Sequence, residues 1–229
     1  MKKVLLFALM LSACAAQAQQ FRYGFSIAPA RNLVVLKSDL YDAKVPVYSG
    51  FQYGLLFDQT IGHGEYLAIT AGFNLNYTES GMVSTDNNAQ GDDKQWAVRA
   101  RYIEIPLTLR LRSPEMGSFL FYGEGGAAYG TCIRAVGDYI ETNAAGQQYG
   151  DRDLDYFDKT NGSNTNGISY LSTNAGLQLG FGTEIRISDG AAILIGFFHQ
   201  RGLVSVYDDN HEKSDISLNQ TGLRIAGLF

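Results

Sequence analysis

Glu104 and Glu124, with Arg22, Arg110 and Arg224, are ionisable residues set among apolar and small neighbours. Two carboxylates brought together away from water must share a proton or take a cation. Such a set could make a proton-sensitive site, a gated pore, or a core whose charges satisfy one another. A second group is acidic. Asp151, Asp153, Asp155 and Asp158 are interleaved with Tyr149, Tyr156 and Phe157. The run "DRDLD" has the oxygen spacing of a calcium loop but lacks the glycine and distal Glu that close one. A solvated loop is the better reading, and tyrosine mixed with Asn, Gly and Ser suits adaptable hydrogen bonding to a partner. Histidine offers little: His63, His199 and His211 are scattered. A hydrolase would want a His beside a Ser nucleophile and an acid. After His199 come Gln200 and Arg201, with only Ser205 and Glu184 on the same or adjoining segment. No catalytic residue, metal ligand or cofactor is therefore assigned, and no enzyme activity is expected.

The elements that position these residues show in the alternation of "RYIEIPLTLRLR", residues 101–112. Ile103, Ile105, Leu107, Leu109 and Leu111 take one side, and Tyr102, Glu104, Thr108, Arg110 and Arg112 the other, the period of a β-strand. Seven further segments alternate or carry strand-forming residues: 21–28, 47–60, 66–78, 118–131, 170–187, 191–207 (weakly) and 216–229. All but the first comfortably exceed the roughly 9–11 residues a tilted strand needs to cross a bilayer. Three links are short, at 61–65, 113–117 and 188–190. Four are longer and polar, at 29–46, 79–97, 132–167 and 208–215. This strict alternation of short and long links predicts an all-β fold, an eight-stranded antiparallel transmembrane barrel with short periplasmic turns and long extracellular loops. A soluble lipocalin-shaped barrel is the alternative. It would put the apolar faces inward, whereas Glu104 and Arg110 turned toward lipid would cost several kcal/mol.

Within the barrel the five aliphatics of residues 103–111 face lipid and the charges face the lumen. Phe21, Tyr23, Phe57, Phe119, Phe121 and Phe229 fall near the periplasmic rim, and Tyr48, Phe51, Tyr77 and Tyr129 near the other, as aromatic girdles do. Pairing the fourth and fifth strands as a regular hairpin across "SPEMG" sets Glu104 opposite about Gly126 and diagonal to Glu124, within about 7 Å. Arg22, Arg110 and Arg224 are the expected counter-ions. An eight-stranded interior is just wide enough to be filled by side chains, which favours a plugged lumen over a narrow channel.

Residues 1–18 read as a cleaved signal peptide and 19–229 as the barrel. Lys2 and Lys3 precede an apolar run to Leu11, and Ala16, Gln17, Ala18 fit a small-residue cleavage site. "LSAC" leaves lipidation of Cys14 as an alternative. After ordinary cleavage only Cys132 remains, so no disulfide within the chain is expected. The expected location is the outer membrane of a Gram-negative cell, with both termini periplasmic. A net charge of −5 gives no reason to expect nucleic acid. The expected partners are outer-membrane lipid and a protein meeting the extracellular loops or periplasmic face, with the barrel a monomer.

"YIEIPLTLR" at 102–110, a tight turn, and the Gly-rich "FYGEGGAAYG" at 121–130 together resemble the PorT-like outer-membrane β-barrel family of Bacteroidetes. "AQAQQFRYGFSIAPARN" and "NQTGLRIAGLF" are similar to that family's first and last strands. The resemblance implies an eight-stranded outer-membrane barrel. It does not imply one activity, although the name-giving member serves secretion.

Overall fold

A computed structural model describes residues 21–36, 43–44, 47–62, 65–85, 93–143, 145–155, 168–170, 173–188, 190–209 and 216–229. Cys14, the cleavage site, His63, His211, Tyr156, Phe157 and Asp158 lie outside the described residues.

Eight long strands form the wall: β1 (Phe21–Leu36), β3 (Tyr48–Thr60), β4 (Leu67–Thr85), β5 (Asp93–Arg112), β6 (Phe119–Thr142), β9 (Thr173–Arg186), β10 (Ala192–Gly202) and β12 (Ile216–Leu228). Among the described residues, four short strands lie at one end: β2 (Ala43–Lys44), β7 (Gln148–Asp155), β8 (Ile168–Tyr170) and β11 (Tyr207–Asp209). Each wall strand pairs antiparallel with its neighbours, and β12 returns to pair with β1, so the sheet closes. Paired inward residues run round the wall from Arg22 through Asp58, Thr70, Thr108, Gly126, Gln178, Gln200 and Gln220 to Asn32. That circuit returns to β1 ten residues further on, since 32 − 22 = 10. Stagger of this kind accompanies strands tilted by about 35–45°.

Burial alternates along the strands, most cleanly in β10, which alternates at every residue. Hydropathy alternates poorly there because Ala192, Leu194 and Phe198 face inward although apolar. Below Tyr102, β5 is apolar outside and polar inside. Beyond it the arrangement reverses: Trp96, Val98, Ala100 and Tyr102 are buried inside, while Gln95, Arg99 and Arg101 are exposed outside. The apolar outer stretch of 103–111 spans about 30 Å along the strand at ~3.3 Å per residue, or about 23 Å after tilt. That is close to the ~25 Å apolar band of an outer-membrane barrel. The reversal therefore marks where the wall leaves lipid and meets water.

This reversal corrects the expected strand ends. The segments 29–36, 79–85, 93–97 and 132–142, expected within loops, continue β1, β4, β5 and β6. Within the fifth link β6 and β7 pair as a hairpin, and between them the Asn143 side chain accepts from the amides of Ala145 and Gln147. Tyr48, expected in an aromatic girdle, is half-buried opposite the buried Asn32.

At the tight-turn end, β5 and β6 close through Met116 and Phe119, leaving Gly117 and Ser118 as the loop. Gly117 has φ +70°, the left-handed conformation that costs a side-chain-bearing residue about 1–2 kcal/mol. Gly117→Val should lower the unfolding free energy by about that amount or more, and Gly117→Asn, which tolerates this conformation, by less. Urea unfolding followed by the single tryptophan, Trp96, checks the order.

Candidate functional site

The turn at Gly117 and Ser118 pivots the hairpin two residues later than a hairpin centred on Glu115 would. Arg110 therefore stands opposite Glu124, Thr108 opposite Gly126, and Glu104 opposite Gly130. The expected pairing of Glu104 with Glu124 is thus incorrect. They belong to rows six residues apart on β6, about 20 Å along the strand.

Glu124 lies in a buried ion cluster. Arg110 donates to its Oε2 at 2.7 and 3.1 Å, and Arg224 to its Oε1 at 2.6 Å. Arg110 also reaches Asp58 at 3.3 Å. Asp58 further accepts from Arg22 at 2.8 Å, from Arg112, and from the Thr70 hydroxyl at 3.0 Å. Arg22 and Arg112 bind Glu184 at 2.6 and 3.1 Å, closing a four-membered ring with Asp58. Three carboxylates and four guanidiniums thus join β1, β3, β5, β6, β9 and β12 across the lumen. Arginine suits this role because its planar fork serves two carboxylates at once. Two rings support the forks: Tyr122 lies 4.8 Å from Arg110, and Phe198 5.1 Å from Arg224. Leu56, Tyr122, Leu194, Ala226 and Leu228 pack as an apolar cluster in the same interior.

Glu104 belongs to the next layer, which holds amides rather than arginines. Gln200 donates to Oε1 at 2.6 Å, and Asn76 and Gln52 donate to Oε2 at 3.1 and 3.5 Å. Gln220 joins Gln52, Asn76 and Asn32, with 3.0 Å to Asn32. No ion pair to Glu104 occurs among the described residues. One inward position further on, Tyr102, Leu218 and Val34 follow Glu104, Gln220 and Asn32. They begin an apolar layer with Trp96, Val98, Ala100, Cys132, Ala135 and Val206. The interior is stratified as charges, then amides, then apolar side chains.

Asp58, Arg112 and Glu184 are cluster members that sequence reasoning left out. By alternation all three fall on inward faces, Asp58 with Gln52 and Glu184 with Gln178, but their depth depends on the barrel's stagger. Phe21, Tyr23, Phe57, Phe119, Phe121 and Phe229 are exposed at the tight-turn end, with Phe21 and Phe57 stacked at 6.3 Å. His199 faces outward and contacts Thr221 at 2.7 Å, while Glu184 lies inside, so the wall separates the His and acid of the hydrolase reading. In the acidic segment Asp151, Asp153 and Asp155 form part of β7 rather than a calcium loop. Asp153 binds Arg99 at 2.8 Å, and Tyr149 is exposed with its hydroxyl on Gln147 at 2.8 Å.

The sequence profile of the outer membrane protein beta-barrel domain matches residues 4–224. The chain belongs to that family. It is an outer-membrane β-barrel, and the closed eight-stranded wall is the family's architecture in this chain. Comparison with curated proteins gives no match. Among solved structures the chain is similar to the attachment invasion locus protein Ail of Yersinia pestis, at 12% identity and TM-score 0.36 over 92% of this chain and 100% of that one. It is also similar to OprG of Pseudomonas aeruginosa, at 14% identity and TM-score 0.44 over 93% and 95%. Neisserial surface protein A is similar at 9% identity and TM-score 0.41, over 89% and 95%.

Removing one partner from a buried ion pair costs about 3–5 kcal/mol, because the survivor stays charged and unpaired. Asp58→Asn, which takes one of their two carboxylates from Arg22, Arg110 and Arg112 at once, should lower the unfolding free energy most. Glu104→Gln loses no ion pair, so the cost should be smaller, about 1–3 kcal/mol. Leu107→Ile, apolar and outward, should be nearly neutral. Urea titrations of the reconstituted barrel read all three.

Proposed function

We propose that this protein is a closed, non-conducting monomeric barrel that presents its long-strand end to an extracellular partner. The observation that carries this reading is the stratified interior. An ion would have to displace interlocked guanidiniums and carboxylates, then a layer of bonded amides, then an apolar layer holding Trp96, Val98 and Tyr102. Support for display comes from the same end of the molecule. There β5 and β6 continue past the apolar band, and β7 folds back on β6 with Tyr149, Asp151 and Asp153 exposed.

At the opposite end Arg186 is bound by both Glu65 and Glu115, which knits the three short turns together. Those charges are engaged with one another, which favours the long-strand end over the turns as the place of contact. A PorT-like role in secretion would use the turn end as well and is the second reading. Both place the termini and short turns in the periplasm, and an exported chain with a cleaved leader 1–18 is consistent with that placement.

Planar-bilayer recording of the purified barrel should show no steady single-channel conductance, and a stable open level would overturn the closed-lumen reading. Asp58→Asn with Arg110→Gln, which loosens only the charge layer, should still give no conductance, because the amide and apolar layers remain. For orientation, an impermeant maleimide applied to whole cells should label Gln147→Cys in the β6–β7 turn and spare Met116→Cys in the short turn. The reverse pattern would overturn the assigned topology.

A further inference from the structure

The geometry points to a binding site for the phosphate of an anionic membrane lipid on the outer wall, formed by Arg101 of β5 and Arg134 of β6. The two residues are direct cross-strand partners and both are exposed. Like charges placed opposite each other weaken a sheet. No ion pair relieves the two arginines among the described residues. The nearby carboxylates serve Arg99 instead, Asp153 at 2.8 Å and Asp138 at 3.7 Å. Glu79, diagonal to Arg101 on β4, is the register partner of Arg99 and accepts from the Ser49 hydroxyl at 3.4 Å.

Arg101 is held against the wall with its guanidinium carbon 5.2 Å from the centre of the Tyr77 ring. A register shift between Arg101 and Tyr102 places Arg134 beside it rather than one step further on. Both line a groove of about 540 Å³ with Phe51, Tyr77, Arg99 and the carboxylates Glu79 and Asp153, the latter bound to Arg99. Two unpaired forks at neighbouring positions match the oxygens of one phosphate, which each can bind through two parallel N–H donors.

Depth identifies the phosphate as a lipid's. Ile103 and Ile133 end the apolar outer faces of β5 and β6, and Arg101 and Arg134 are the next outward residues. The exposed ring of Tyr129 lies below them. A lipid seated here lays its chains on Ile103, Ile133 and Tyr129 and raises its headgroup to the two arginines. The site does not depend on which end of the barrel faces the cell exterior.

The test uses the full barrel in dodecylmaltoside micelles, with bound lipid counted by native mass spectrometry. Diphosphoryl lipid A, phosphatidylglycerol and phosphatidylcholine are added separately. The wild type should retain an anionic lipid, and Arg101→Gln with Arg134→Gln should weaken that retention at least tenfold while phosphatidylcholine is unaffected. Arg201→Gln, an exposed arginine two strands from β6, should retain lipid as the wild type does. Heat-modifiable migration on gels verifies folding, and if the double variant does not fold, Arg134→Gln alone should weaken retention at least threefold. Equal retention by wild type and folded variants would overturn the site, as would failure of the wild type to retain either anionic lipid. Displacement of lipid by equimolar inorganic phosphate would overturn the assignment to a lipid.

Discussion

Tyr23 and Phe229 exchange two backbone hydrogen bonds, of 3.0 and 2.8 Å, where the first wall strand meets the last. From there β1 and β12 remain paired as far as Leu36 and Ile216. Lipid offers no partner to a backbone N–H or C=O, so a sheet in the bilayer is viable only when it has no free edge. Closure of β1 on β12 meets this requirement and fixes the rest. Eight strands joined with a ten-residue stagger enclose a space only wide enough for side chains. Whatever the inward faces carry must then pack against itself.

The outward faces are apolar because they touch lipid, so alternation leaves the polar residues to the interior. Polar groups confined there must largely satisfy each other, and the carboxylates of the two polar layers find their donors with different chemistry. Asp58, Glu124 and Glu184 each accept from two or more arginines, which offsets the several kcal/mol needed to desolvate each ion. Glu104 has amide donors instead, from Gln52, Asn76 and Gln200. The cost of this arrangement is sensitivity to loss of any one member. Its consequence is a wall braced from within, since residues of six strands meet in the ion cluster.

Alternation made the eight wall strands, their faces and the short turns legible in the sequence. It placed Arg110, Arg224 and Glu124 inside but could not state which rows they share. Rows follow from the turn at Gly117 and from the stagger, and neither is a property of one strand. A two-residue displacement of the pivot moved Glu104 away from Glu124 and brought Arg110 to it. Asp58, Arg112 and Glu184 had the same inward signal as the residues named, and their meeting depends on contacts across the lumen between distant segments. Strand ends were misread for a different reason. Searching for apolar outward faces ends a strand where it leaves the membrane, although the backbone pairing continues.

That exchange of faces is a physical record of the membrane's edge. Along β5 the inward side passes from Arg112, Arg110 and Glu104 to Tyr102, Ala100, Val98 and Trp96 with no change in the parity of the strand. The solvent outside has changed, and the preferred side of the apolar residues has changed with it. Above the boundary the barrel is built like a soluble one, with an apolar core and a polar surface. Below it the wall is turned inside out. Arg101 and Arg134 lie at the junction, the first outward residues for which an ionic headgroup rather than hydrocarbon is the available neighbour. Their like charges would repel in either bulk environment. A phosphate held at that depth by the headgroup layer would offset the repulsion between the two arginines, neither of which has an acidic partner among the described residues.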